Sequence, residues 1–89
     1  MRAITFRVEG RVQGVGFRAF AQRSAASLGI CGWVENTPDG AVSGHAQGTD
    51  EALRAFQRDL GEGSRWSTVE SLHAEPAATR EIAGFLVRR

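Results

Sequence analysis

Val8-Glu9-Gly10-Arg11-Val12-Gln13-Gly14-Val15-Gly16-Phe17-Arg18 is where the hydrophobic period of the chain changes. Before it, residues 3–9 alternate, with Ile4, Phe6 and Val8 on one face and Thr5, Arg7 and Glu9 on the other, as in a half-buried strand. After it, Phe17, Phe20, Ala21, Ser24, Ala25 and Leu28 follow the i, i+3, i+4, i+7 spacing of one helix face. Gly29 stands where a left-handed C-cap ends that helix, which the spacing places at 17–28. The link holds Gly10, Gly14 and Gly16 and is followed at once by Phe17-Arg18. A glycine-rich passage from strand to helix lets backbone N–H groups converge, and the helix start adds unpaired N–H groups and partial positive charge. The loop therefore reads as an anion pocket with the Arg18 guanidinium at its rim.

Moving outward, residues 30–36 read as a second strand. Thr37-Pro38-Asp39-Gly40 has the composition of a tight turn, and alternation resumes over 41–48. These two strands form a hairpin. Thr49 is the expected N-cap of a second helix, with Asp50 and Glu51 complementing its dipole. Leu53, Phe56, Gln57 and Leu60 form its buried face, and Gly61 is expected to end it. A fourth strand is expected over 67–75, with its alternation slipping between Val69 and Leu72 at a bulge. A loop over 76–79 and a last strand near 83–88, carrying Phe85 and Val87, complete the chain. The order βαββαβ with an additional C-terminal strand predicts a ferredoxin-like α+β sandwich. Its two helices pack on one face of a mainly antiparallel sheet.

Composition removes several classes of function. Eighty-nine residues are expected to form a single domain, residues 1–89. The formal charge of +1 argues against a protein that coats nucleic acid, and no strand carries interleaved basic, glycine and aromatic residues. No apolar run is long enough to span a bilayer, and the first seven residues lack a signal-peptide core, so a cytoplasmic protein is expected. One cysteine, Cys31, excludes an internal disulfide and is expected to pack as a small side chain. His45 and His73 lack neighbours at metal-ligand spacing, so no metal is expected, and both are expected at the surface or an interface. Trp33 and Phe20 are expected in the core. All eleven basic side chains are arginine. Without lysine the loop is neither a Walker A motif nor part of a kinase-type ATP site, and Schiff-base chemistry is excluded.

Topology singles out one further residue. A crossover from strand 1 through helix 1 returns strand 2 parallel to strand 1, so the C-terminal end of strand 2 reaches the edge where the glycine loop lies. Asn36 stands there. Its carboxamide suits two uses, starting the Asn-Thr-Pro-Asp-Gly turn or holding a water beside the anion pocket. Arg18 opposes its own helix dipole unless an anion is bound, which favours a binding role. No Ser-His-Asp set and no cysteine paired with histidine is evident.

These residues resemble a known family. Val12-Gln13-Gly14-Val15-Gly16-Phe17-Arg18 and Gly32-Trp33-Val34-Glu35-Asn36-Thr37-Pro38-Asp39-Gly40-Ala41-Val42 are similar to the two signature segments of acylphosphatases, and element order and length agree over most of the chain. The resemblance implies hydrolysis of the carboxyl–phosphate bond of an acyl phosphate by a monomeric enzyme with no metal or cofactor. It implies that Arg18 binds phosphate, that Asn36 positions the attacking water, and that backbone N–H groups of Gln13, Gly14, Val15, Gly16 and Phe17 complete the cradle. The family's usual Gly-Pro pair after helix 2 is replaced by Gly61-Glu62-Gly63-Ser64. A second relative is the acylphosphatase-like domain of hydrogenase-maturation carbamoyltransferases, which would make this chain a weakly catalytic or non-catalytic phosphate-binding accessory domain. Those domains often carry proline after the arginine, where Ala19 stands here.

Overall fold

Strand 1, β1 (Arg2–Arg11), places Phe6 and Val8 inward and Thr5 and Arg7 outward, as its alternation requires. The computed structural model describes residues 1–89. After β1 come α1 (Phe17–Leu28), β2 (Cys31–Asn36), β3 (Val42–Gly48), α2 (Asp50–Glu62), β4 (Thr68–Ala77) and β5 (Phe85–Arg88). The strands form one sheet in the order β4-β1-β3-β2-β5. All neighbours are antiparallel except β2 and β5. Both helices lie on one face and share a core with it, in the expected ferredoxin-like arrangement. Phe17, Ala21 and Ala25 of α1 meet Leu53, Phe56 and Leu60 of α2 over Phe6, Val34, Val42, Ala46 and Phe85 of the sheet. The Phe56 ring joins the two sides of this core, with edge contacts to Phe6 at 5.6 Å and Phe85 at 5.7 Å.

Helix boundaries follow from capping. Gly29 takes the left-handed conformation, φ 71°, and closes α1 as expected. Thr49 caps α2 by accepting from the Ala52 N–H at 3.1 Å. The expected stop at Gly61 is corrected: α2 runs on to Glu62 because the Gly63 N–H, two residues later, is the one that closes onto the Asp59 carbonyl, at 3.0 Å. The expected loop at 76–79 is corrected too, since Pro76 and Ala77 still pair with Ile4 and Ala3 of β1. β4 is an edge strand, so the missing proline N–H removes no bond from a neighbour. The slip between Val69 and Leu72 is present: Glu9 pairs with Ser71 and Gly10 with Val69, leaving Glu70 as the extra residue. β5 begins at Phe85 rather than 83.

The sheet face away from the helices is partly covered by residues 78–84. Arg80 is clipped to Gln47 by two hydrogen bonds, the Gln47 Nε2–H to its carbonyl at 2.7 Å and its own N–H to Gln47 Oε1 at 2.9 Å. Gln47 Oε1 also faces His45 Nε2 at 2.9 Å. Because that oxygen only accepts, Nε2 carries the proton. His45 is 1% exposed, which corrects the expectation that it lies at the surface. Its ring stacks on Trp33 with centroids 4.8 Å apart. Trp33 is half-buried on this face and outside the main core, with the Arg88 guanidinium 4.0 Å above its ring. His73 is exposed, Cys31 is partly buried, and Phe20 packs against the core.

The directions of β1, β2 and β5 bring their C-terminal ends to one edge, where the glycine loop also lies. Close packing of the central strands maintains that edge. A Cβ on Gly44 of β3 would stand 2.0 Å from the Trp33 carbonyl oxygen and 2.7 Å from the Phe6 ring. Backbone occupies one side and a core ring the other, so neither yields easily. Gly44→Ala is expected to lower unfolding free energy by about 2 kcal/mol or more, measured by urea denaturation. A loss below about 0.5 kcal/mol would show that the strands separate more freely than this packing implies.

Candidate functional site

Between β1 and α1 the chain makes two left-handed steps, at Gly14 (φ 74°) and Gly16 (φ 78°), while no non-glycine residue has positive φ. Alternating signs of φ along 13–16 turn successive N–H groups toward one side and form a concave anion nest. An added Cβ at either glycine would meet nothing within 4 Å. Backbone conformation rather than crowding therefore demands glycine at both. Gly16 is the N-cap of α1, no side chain caps the helix, and its first turn has no acidic residue. The first bond closing the helix start is from Phe20 N–H to the Gly16 carbonyl. The Phe17, Arg18 and Ala19 N–H groups are thus free of intrahelical partners. None of Gln13, Gly14, Val15 or Gly16 donates a backbone hydrogen bond outside regular structure. The loop offers unpaired donors with no carboxylate to neutralise them.

Arg18 and Asn36, 18 residues apart in sequence, line the same pocket. This pocket, about 210 Å³, has Val12, Gly14, Gly16, Phe17, Ala19 and Val87 as its other walls. It adjoins a wider opening bounded by Arg18, Asn36, Val87 and Arg89. No aspartate, glutamate or histidine lines either space. Asn36 is the last residue of β2, paired with Val42, and its Oδ1 is buried without a hydrogen-bond partner. An unpartnered acceptor in a pocket wall is costly unless something polar occupies the pocket. The Arg18 Nη1–H donates to the Arg88 carbonyl at 2.7 Å, so β5 sets the guanidinium's direction. β5 is held in turn by the Gln22 Nε2–H on the Phe85 carbonyl, 2.9 Å, and by Phe85 in the core. Sequence reading placed Arg18 and Asn36 at this edge but gave no role to Arg88 or Val87. A parallel pairing of β2 with β5 joins residues about fifty apart and has no local signal.

The two halves of the site are also tied by the Gln13 side chain. Its Nε2 donates to the carbonyls of Thr37 and Ala41, both at 2.8 Å. Sequence reading assigned Gln13 only a backbone role. Above these contacts the hairpin turn is braced by its own polar groups. Thr37 Oγ1 accepts from the Ala41 N–H at 3.0 Å and donates to Asp39 Oδ1. Arg7, on the open sheet face, donates to Asp39 Oδ2 at 2.6 Å and through Nε to Glu9 Oε2 at 3.0 Å. The Thr37 hydroxyl and then Arg7 hold the Asp39 carboxyl down to about 2. Glu9 is held below the usual carboxylate range by the Ser71 hydroxyl and then by Arg7, and Asp39 and Glu9 in turn raise Arg7.

Comparison with known proteins places the whole chain beside one family. The family model described as acylphosphatase matches residues 4–87. The chain is 46% identical over 80 residues to an acylphosphatase of Thermus thermophilus, covering 90% of this chain and 91% of that protein. It is 42% identical over 86 residues to one of Nocardioides sp., covering 97% and 87%. The crystal structure of an acylphosphatase from Bacillus subtilis superposes with a TM-score of 0.95 at 36% identity over the full length of both chains.

The bracing of the turn has a pH signature. The folded-state value of Asp39 lies below its ordinary 3.8, so its stabilising contribution is complete above 3.8 and is lost as pH falls toward about 2. The stability difference between the wild type and Asp39→Asn, measured by denaturant titration, is expected to be constant at neutral pH and to shrink through that window. A difference that persists unchanged at the acid end would show that the carboxylate charge is not what braces the turn.

Proposed function

The chain belongs to the acylphosphatase family and is an acylphosphatase, hydrolysing the carboxyl–phosphate bond of acyl phosphates, and we propose the following roles for its residues. The phosphoryl group of the substrate sits in the nest of Gln13–Phe17 N–H groups and receives the free donors of Arg18. Asn36 orients the water that attacks phosphorus. One observation carries the assignment: Arg18 and Asn36 line a single pocket with the loop's glycines, and Asn36 Oδ1 there lacks a donor. A water is a donor of the right size for that oxygen.

Chemistry this spare is sufficient because the substrate is a mixed anhydride. Attack of water on phosphorus forms one P–O bond while the P–O bond to the acyl oxygen breaks. The bond's electron pair leaves on a carboxylate, which needs no proton. The water's second proton passes to a phosphoryl oxygen, giving dihydrogen phosphate. No side chain is required as general acid or base, in keeping with a pocket that has none. The protein supplies fixed dipoles and a guanidinium aimed at the phosphoryl oxygens, with the water held in line. We further propose that the enzyme acts as a monomer, without metal, in the cytoplasm, where ATP-dependent activation generates acyl phosphates. An accessory phosphate-binding role draws less support, because relatives matched over nearly their whole length are named as acylphosphatases.

Purified protein is expected to hydrolyse benzoyl phosphate at an unchanged rate in excess EDTA and to leave an alkyl ester such as glycerol phosphate nearly untouched, because its alkoxide leaving group needs a proton. EDTA-sensitive hydrolysis would overturn metal independence. Asn36→Ala is expected to lower kcat by about 10²–10³-fold while inorganic phosphate still inhibits competitively at similar concentration. Arg18→Lys is expected to weaken phosphate inhibition and lower kcat together, since a point charge does not replace a planar fork. An Asn36→Ala enzyme with wild-type kcat would return that residue to a turn-forming role.

A further inference from the structure

Asn36 and the acceptors of Gln13 belong to one short hairpin, and little of that hairpin is fixed by the core. Pro38, Asp39 and Gly40 are exposed, and only Ala41 and Val42 at its end are buried. Two side chains from outside the hairpin grip it. Gln13 grips the neck from the loop side through the carbonyls of Thr37 and Ala41, and Arg7 grips the tip from the open sheet face through Asp39. Asp39 is joined to the neck by Thr37, whose hydroxyl donates to Asp39 Oδ1 and accepts from the Ala41 N–H. Arg7 is itself aimed by Glu9, which the Ser71 hydroxyl holds at 2.8 Å. The run Ser71–Glu9–Arg7–Asp39–Thr37 thus starts on β4, crosses β1 and ends beside Asn36.

We propose that Arg7 and Asp39 are positioning residues for the hydrolytic reaction, acting as a latch that fixes the 36–41 hairpin, and with it Asn36, against the phosphate loop. This rests on the roles proposed for Asn36 and the loop. Neither latch residue lines the pocket of Arg18 and Asn36, so neither touches substrate. Both are substantially exposed, 37% and 63% at the side chain, and an ion pair so placed contributes little to global stability. What it restricts is the tilt of a turn that has few other restraints. Water attack depends steeply on the placement of Asn36, because a displacement on the order of 1 Å costs a large factor in an in-line displacement. Phosphate binding depends on the loop and on Arg18, which is held by Arg88 and not by the hairpin. Loosening the latch therefore affects turnover more than binding.

The test compares wild type, Arg7→Gln, Asp39→Asn and the double variant at a temperature where circular dichroism shows all four folded. With benzoyl phosphate, each single variant is expected to lose about 5- to 20-fold in kcat, while the inhibition constant for inorganic phosphate changes less than about twofold. The double variant is expected to be no slower than the slower single one, because both substitutions open the same latch. Unchanged kcat in either folded single variant would overturn the proposal. So would a parallel loss of kcat and phosphate affinity, or multiplicative effects in the double variant. Failure of the proposed site roles is read separately, from wild-type turnover with and without Asn36→Ala. A readout independent of activity tests the latch in either case: exchange of the Gln13 carboxamide protons, followed by NMR, is expected to accelerate in Asp39→Asn and Arg7→Gln. Unaltered exchange would show that the pair does not act on the hairpin.

Discussion

The Gln13 carboxamide spans the two carbonyls at the neck of the 37–41 hairpin, and the working edge of the molecule depends on that bridge. The glycine loop sits between a strand and a helix that are well anchored in the core, Val12 and Phe17 both being buried. The hairpin lies at the end of β2 and β3, where ladder pairing stops at Asn36 and Val42. Without a link, the distance between cradle and hairpin would vary with every motion of the turn. Two hydrogen bonds from one donor group to two carbonyls remove that freedom in more than one direction. Arg18 has an analogous restraint from the opposite side, the Arg88 carbonyl on β5. The site is therefore assembled from three strand ends brought to one edge by topology and registered by individual polar contacts.

Such a site suits one kind of reaction. Unpaired N–H groups, one guanidinium and one carboxamide stabilise and orient, but none of them donates or removes a proton near neutral pH. An alkyl phosphate ester would present a leaving group that such a pocket cannot protonate. An acyl phosphate presents a carboxylate, which leaves without help. The absence of carboxylates from the pocket walls also avoids repulsion of a dianionic substrate and keeps the helix N-terminus electropositive. Catalysis by placement has a corollary: the rate depends on whatever fixes the geometry of the groups that touch substrate.

How far the sequence revealed this varies with the range of the interactions involved. The seven elements were legible because each announces itself locally, by period at β1 and α1, by Gly29 at the end of α1, and by Thr49 at the start of α2. Asn36 was legible because a single crossover argument returns β2 to the loop's edge, and the pocket shared with Arg18 is where that argument leads. Boundaries failed where a neighbouring element overrode local preference, as at Pro76, which pairs with β1 although it stands in the edge strand β4. His45 was misplaced because an alternating strand assigns it to the open face, and nothing local shows that residues 78–84 fold back and bury it through Gln47. Gln13, Arg7 and Arg88 escaped for the same reason. Their partners lie 24 or more residues away in sequence, and only the assembled sheet brings them into contact.

The claim that placement replaces proton transfer is tested most directly by the pH dependence of kcat for benzoyl phosphate. Arg18 and Arg89 are the only ionisable side chains lining the two spaces of the site, and a guanidinium serves as neither acid nor base in the neutral range. The expected kcat is flat from about pH 6 to pH 9, with no inflection from a protein group. A bell-shaped profile with two inflections inside that range would reveal an acid and a base at work, and would contradict it.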